Sequence, residues 1–158
     1  MMQVSVITPP EPIVTWEQAR AHLRLDDGDE QQAYVEDLVA VATAWLDGPG
    51  GWLGRALGEQ TLEAVFPVCG EPAARGYPFP PFLSVVSDVP AVDGATTTVR
   101  WRAGYEAGKV PAPVRHAILL MVSHLFNNRD AVTTTAAQPA QLPLGVEALL
   151  SPYRVWSV

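Results

Sequence analysis

The sequence is poor in the residues that would tie the chain to disulfides, nucleic acid or a membrane. It has a single cysteine, Cys69, and a single lysine, Lys109, and its formal net charge is -7. A lone cysteine cannot form an internal disulfide, and an acidic chain lacks the basic footprint of a DNA-binding protein. No uncharged apolar run reaches the ~18 residues of a membrane span, and the N-terminus lacks a signal-peptide pattern. We therefore expect a protein made in the cytoplasm, with an inert thiol.

Side chains that could perform catalysis or bind a metal are few and poorly spaced. The acidic run at 26–30 has neither the alternating oxygens nor the distal glutamate of a calcium loop. His116 and His124 would lie two helical turns apart, too far to share one metal, and His22 belongs to a different helix. No serine or cysteine occupies a nucleophile motif. The sequence therefore predicts no catalytic residue, no metal site, no cofactor and no enzyme activity.

The 158 residues, 48% of them hydrophobic, suffice for one domain with a real core. Fifteen prolines and twelve glycines require that several segments are turns or extended arms. Residues 1–14 contain three of these prolines and are predicted to form an N-terminal arm.

Three segments have helical periodicity. Thr15 and Gln18 form a capping-box pattern that begins a helix over 16–25. A second helix is predicted over 30–47, with two adjacent apolar rows that together indicate a broad buried stripe. The first row is Tyr34, Leu38, Val41 and Trp45, and the second is Val35, Val39, Ala42 and Leu46. Pro111 and Pro113 open the longest helix, predicted over 112–130 as the core of the molecule.

Between 55 and 105 the period changes from helical to extended. β-type runs at 60–66, 82–86 and 97–103 are separated by prolines. In the last run, alternation places Val99, Trp101 and Ala103 on one face and Arg100 and Arg102 on the other, which is typical of a half-buried strand.

These patterns predict a mainly α fold. It is a small helical bundle, with helix 112–130 packed against helix 30–47, carrying a short β-strand insertion and extended N- and C-terminal arms. We expect a single domain over 1–158, with a helical core over 15–130 that includes the insertion at 55–105. The Thr/Ala/Gln-rich stretch 131–141 is predicted to be a mobile loop, and 142–158 a C-terminal anchoring segment.

The C-terminal segment is rich in the residue types that dominate protein interfaces. Its candidate partner-binding residues are Leu142, Pro143, Leu144, Tyr153, Arg154 and Trp156. Packing of this tail on its own domain is an equally good interpretation, and the sequence leaves the choice open.

The order of motifs along nearly the whole chain resembles a known family. The pieces are Ile7-Thr8-Pro9-Pro10, Ala19-Arg20-Ala21-His22-Leu23-Arg24-Leu25, Gly54-Arg55-Ala56-Leu57, Pro80-Pro81-Phe82-Leu83-Ser84-Val85, Ala103-Gly104-Tyr105, Arg115-His116-Ala117-Ile118-Leu119-Leu120, His124-Leu125-Phe126-Asn127-Asn128-Arg129-Asp130, Leu142-Pro143-Leu144-Gly145-Val146 and Leu149-Leu150-Ser151-Pro152-Tyr153-Arg154. In this order they resemble the head-tail connector (adaptor) proteins of long-tailed phages and of gene transfer agents.

The resemblance implies a structural subunit in the neck of a phage virion or gene transfer agent particle. Such subunits form a ring, here expected to be a dodecamer, between the portal protein and a downstream tail or stopper protein. The C-terminal segment would engage the portal, and DNA would pass through the lumen during ejection without specific binding. An acidic lumen suits that role, because it repels phosphate.

Two other functions stay open at this stage. A small DNA-packaging factor of the terminase type would bind DNA in a salt-sensitive way, which nine arginines against seventeen acidic residues do not favour. An unrecognised hydrolase would need a pocket around His116 or His124 with a carboxylate or nucleophile as partner.

Overall fold

The computed structural model describes residues 2–26, 28, 30–68, 76–92, 94–128 and 144–156. The helices are α1 (Trp16–Leu23), α2 (Gln32–Leu46), α3 (Ala112–Asn127) and α4 (Leu144–Leu150), and the strands are β1 (Val4–Thr8), β2 (Gln60–Pro67), β3 (Phe82–Pro90) and β4 (Thr96–Ala103). Short 3-10 turns at Gly48–Gly50 and Ser151–Tyr153 follow α2 and α4. The predicted mobile loop 131–141 lies outside the described residues.

The start of α1 confirms the capping box. The backbone N–H of Gln18 donates to the hydroxyl of Thr15, and the Gln18 side chain accepts from the Thr15 N–H at 3.2 Å. Both bonds satisfy amides that the first helical turn leaves without a partner. α1 ends at Arg24, whose left-handed backbone (φ 55°) returns its N–H to the carbonyls of the last turn.

α2 and α3 pack against each other and form the centre of the helical part. α1 contacts both of them, and α4 packs on α3. Their shared core contains Val35, Val39, Ala42, Leu46, Leu53, Leu57, Val114, Ala117, Ile118, Val122, Val146 and Leu150. The pairing of the two long helices therefore agrees with the prediction, although α3 ends at Asn127.

The four strands form one antiparallel sheet in the order β1-β2-β4-β3. Burial alternates along β4, where Val99, Trp101 and Ala103 are inaccessible and Arg100 and Arg102 are exposed, as predicted. The inner face has its own apolar cluster, centred on Trp101, whose ring lies 5.8 Å from that of Phe66 and 5.5 Å from that of Tyr77. A side chain of this size anchors a core of its own.

The predicted fold class is wrong. Helices, including the 3-10 turns, make up 40% and strands 25% of the described residues, and the four-stranded sheet makes this a mixed α/β fold instead of a mainly α bundle. The cause is partly β1, which lies inside the expected N-terminal arm and pairs with β2, Val4 opposite Ala64. β3 is also longer than predicted, reaching Pro90. Two β-bulges interrupt its pairing with β4, and their irregular register hides the alternation expected of a strand.

Asp47 joins the helical part to the sheet. It follows the last residue of α2, and its Oδ1 accepts from the Leu57 N–H at 2.6 Å and from Gln60 Nε2 at 3.0 Å. Gln60 is the first residue of β2 and is almost fully buried. Burial raises the pKa of Asp47 above its ordinary value, and hydrogen bonds from Leu57, Gln60 and Gly48 oppose that shift. The carboxylate is therefore a structural acceptor at the junction.

Candidate partner-binding surface

The end of the chain folds back onto the helical part. Tyr153 packs at the edge of the helical core, and the N–H of Val155 donates to the carbonyl of Leu53 at 2.8 Å. A Cβ on Gly54 would lie 2.5 Å from the carbonyl oxygen of Val155, and Gly54 has a φ of 64°. Only glycine fits this close approach and backbone conformation. Packing of the C-terminal residues against the helical part therefore requires glycine at position 54.

Arg154 lies between two indole rings. Its guanidinium carbon is 4.1 Å from the centroid of the Trp52 ring and 3.9 Å from that of Trp156. Trp52 in turn stacks on Trp45 of α2, with ring centroids 6.3 Å apart and planes inclined by 18°. Cation-π contacts of this kind hold a guanidinium without neutralising it. The outer member, Trp156, remains 71% exposed.

This stack continues along α2 as a row of apolar side chains one helical turn apart. The row consists of Tyr34, Leu38, Val41 and Trp45, and the ring of Tyr34 lies 6.0 Å from that of Phe126 on α3. We call the row together with Trp52, Arg154 and Trp156 the aromatic ridge. Val41 is 56% exposed and Trp45 43% exposed. The prediction that both apolar rows of α2 are buried is therefore wrong for the row that begins at Tyr34.

The opposite flank of α2 borders an open cavity of about 970 Å³ between that helix and residues 4–17. Its apolar lining includes Val6, Pro9, Pro12, Ala40 and Ala44. Carboxylates of Glu11, Glu17, Glu36 and Asp47 also line it, and no arginine, lysine or histidine is found among its described lining residues. We call this cavity the α2 groove.

The sequence-predicted residues lie in different parts of the structure. Leu142 and Pro143 lie outside the described residues, and Leu144 is the first residue of α4. Tyr153 belongs mainly to the edge of the core. Arg154 and Trp156 come together in the ridge. Sequence reasoning missed Trp45 and Trp52 as their neighbours, although two full apolar rows on one helix exceed what a single buried stripe requires.

The three histidines lie on α1 and α3. His22 of α1 and His116 of α3 meet edge to face, with ring centroids 5.9 Å apart. Burial, and then the charge of His116, lower the pKa of His22. His124 Nδ1 lies 3.4 Å from the side-chain nitrogen of Asn128. Within the described ranges, no group of three or more histidine, cysteine, aspartate or glutamate side chains could hold a metal ion.

The outer face of the sheet carries charge of both signs. Arg100 pairs with Glu63 at 2.5 Å, and Arg102 pairs with Glu59. These ion pairs leave the arginines partly neutralised, so the face differs from the basic surfaces that bind phosphate backbones.

No protein-family model and no curated protein matches the sequence. Solved structures do share the fold. A chain in the virion of a native gene transfer agent (GTA) particle has 18% identity and a TM-score of 0.74, with 99% of this chain and 97% of that chain covered. With the same coverage, a chain in the neck of an empty GTA particle, computed with C6 symmetry, has 17% identity and a TM-score of 0.75. One in the neck of a native GTA particle, computed with C12 symmetry, has 16% identity and a TM-score of 0.67, again over 99% and 97%.

Identities this low establish a shared fold. The structural neighbours are parts of virion-like particles. Within the part of the chain that the structure describes, no helix has both the length and the apolar character needed to cross a membrane.

Proposed function

We propose that this protein is a structural subunit of the neck of a tailed phage or gene transfer agent particle. The observation that carries the proposal is the match of fold over 99% of the chain to chains from GTA particle necks. Because the alignment covers 99% of this chain and 97% of each of those chains, the likeness extends over the whole fold and is not that of a common supersecondary motif.

In this role the subunit forms a closed ring, a dodecamer, between the portal and a downstream tail or stopper protein. The C6 and C12 symmetries of the related necks support a cyclic arrangement. A cyclic ring of more than two copies uses two different patches on each subunit. DNA passes through the lumen without specific binding, and the net charge of -7 favours passage over retention.

The C-terminal segment supplies the contact with a partner, either the portal or the neighbouring subunit. Arg154 and Trp156 support this part of the proposal, because they stand at the open end of a stack whose inner members are fixed by the fold. A guanidinium and an indole held in place lose little conformational entropy on binding. Leu142, Pro143, Leu144 and Tyr153 belong to the same proposed segment.

The two alternative functions have less support. The ring of His116 meets that of His22 edge to face, whereas a hydrolase needs a carboxylate or nucleophile beside the histidine. A terminase-type factor needs an unpaired basic face, and Arg100 and Arg102 are paired.

Electron microscopy of the purified chain with and without the portal protein of its particle tests the proposal. We expect rings of twelve subunits seated on the portal, with no dependence on added DNA. A chain that stays unattached to the portal, or that binds duplex DNA with a steep salt dependence instead, would contradict the proposed function.

A further inference from the structure

The aromatic ridge and the α2 groove lie on opposite flanks of one helix. Successive residues of an α-helix turn by ~100°, so the row at 34, 38, 41 and 45 and the row at 36, 40, 43 and 47 point in roughly opposite directions. The buried row containing Val39 and Leu46 lies between them. Each copy of the chain thus presents a projecting surface on one side and a concave one on the other.

The two surfaces are similar in length. From Tyr34 to Trp45 the ridge spans about 16 Å at 1.5 Å per residue, and the stacked Trp52 and Trp156 extend it further. The lining of the groove follows α2 from Gln32 to the 3-10 turn at Gly48–Gly50, about 25 Å. A ridge of one copy can therefore lie along the groove of another.

Their charges are opposite in sign. The ridge carries one cation, Arg154, held between two indoles. The groove is lined by four carboxylates, three of which, on Glu11, Glu17 and Glu36, belong to exposed residues. A ridge that met a second ridge would bring two guanidinium groups together, whereas a ridge in a groove brings opposite charges together.

The exposed apolar area of the ridge is of the size expected for a weak contact that is repeated around a ring. Exposure is 36% for Tyr34, 56% for Val41, 43% for Trp45 and 71% for Trp156. With ~150–250 Å² for a whole aromatic side chain, the exposed parts sum to roughly 400 Å². This is about half of the ~800 Å² that each partner contributes to a stable two-protein interface. A single contact of this size is weak, and closure of a ring would add the contacts together.

We infer that the aromatic ridge of one subunit binds in the α2 groove of the next, and that this contact joins neighbouring subunits head to tail. The inference rests on the proposed function for its ring, but the contact itself is a property of the isolated chain. It also chooses between the two partners proposed for Arg154 and Trp156, since it places them against a second copy of this chain.

Two single substitutions separate the surfaces. Val41→Glu places a charge on the ridge, and Ala44→Arg places bulk and positive charge in the groove. Both replaced residues are exposed and both new residues are good helix formers, so the fold should persist. Val92→Glu, beyond the end of β3, and Ala21→Arg, on α1, are matched controls, because both positions are exposed and neither belongs to the ridge or to the lining of the groove.

Sedimentation velocity of the full chain, at concentrations reaching the millimolar range, measures the contact. We expect the parent and both controls to associate increasingly with concentration, and each of the two variants to stay monomeric. An equimolar mixture of Val41→Glu and Ala44→Arg should form dimers, because the intact ridge of Ala44→Arg can bind the intact groove of Val41→Glu.

Other outcomes overturn the inference. A mixture that stays monomeric, a parent that does not associate, or an Ala44→Arg variant that associates like the parent would each exclude ridge-in-groove binding. Electron microscopy with the portal distinguishes failure of the ridge-in-groove contact from failure of the proposed function. Full rings of Val41→Glu on the portal would reject the contact and leave the proposed function standing. Dimers in the mixture, without any rings of the parent on the portal, would support the contact and reject the proposed function.

Discussion

Asp47 is a buried carboxylate that stabilises the fold as a hydrogen-bond acceptor, whereas its negative charge is unfavourable there. Its oxygens accept from Leu57 and Gln60, while its raised pKa means that ionisation in the folded state is unfavourable relative to the unfolded chain. A raised carboxyl pKa costs stability as the pH rises from the unfolded pKa through the folded one, and the cost is largest above both.

Two substitutions separate these contributions. Asp47→Asn should lose less stability than Asp47→Ala at neutral pH, because Oδ1 remains an acceptor and no charge is buried, although the amide nitrogen that replaces Oδ2 cannot accept from Gln60 Nε2. Asp47→Ala should lose about 1–3 kcal/mol, since it leaves the Leu57 N–H and the buried Gln60 amide without their acceptor. Urea unfolding at pH 7 measures both. Equal losses for the two variants would mean that the Oδ1 acceptor alone does not stabilise the junction.

His22 gives a prediction for pH. Because burial and His116 lower its pKa, the unfolded chain binds a proton more readily than the folded one, and stability must fall as the solution is acidified. The fall begins near the ordinary imidazole pKa of about 6.5 and continues below it. His22→Gln should show a shallower decline in thermal midpoint between neutral and mildly acidic pH. A decline as steep as that of the parent would assign the effect to other groups.

At the scale of elements, α2 has one flank that stabilises the fold and another that does not. Leu46→Ala should cost about 2–5 kcal/mol, because Leu46 is inaccessible within the core. Val41→Ala, on the ridge of the same helix, should change the free energy of unfolding by less than about 1 kcal/mol. Chemical denaturation of both variants compares the flanks. Comparable losses would show that the outer row is also covered in the free subunit.

Local patterns in the sequence were sufficient to predict the helices but not to predict the whole sheet. The capping box at Thr15, the period of α3 and the alternation of β4 act within a few residues, and each was predictable. β1 was not, because five residues beside a proline-rich stretch become a strand only through pairing with distant β2. The ridge was missed for a related reason: hydrophobic periodicity says which side chains are apolar, but not which of two rows another element will cover.

At the scale of the whole molecule, the small contact area of the ridge makes assembly sensitive to modest changes. Trp156→Ala removes the most exposed aromatic of the ridge and leaves the Val155 hydrogen bond in place, so the monomer should stay folded. A loss of about 1–2 kcal/mol at each contact is multiplied by closure of the ring. We expect normal thermal stability and a large loss of rings, measured by mass photometry with the portal. Rings at the parental level would remove Trp156 from the interface.

The distribution of the five tryptophans also has an optical consequence. Trp45, Trp52 and Trp156 belong to the ridge, Trp16 at the start of α1 is half-buried and lines the α2 groove, and Trp101 is wholly enclosed under the sheet. Indole emission shifts to shorter wavelength when water leaves the ring, so covering the ridge would change the intrinsic fluorescence of the chain, while that of Trp101 would stay constant as an internal reference. Intrinsic tryptophan fluorescence can therefore follow assembly in real time, without an added label that would disturb the interface.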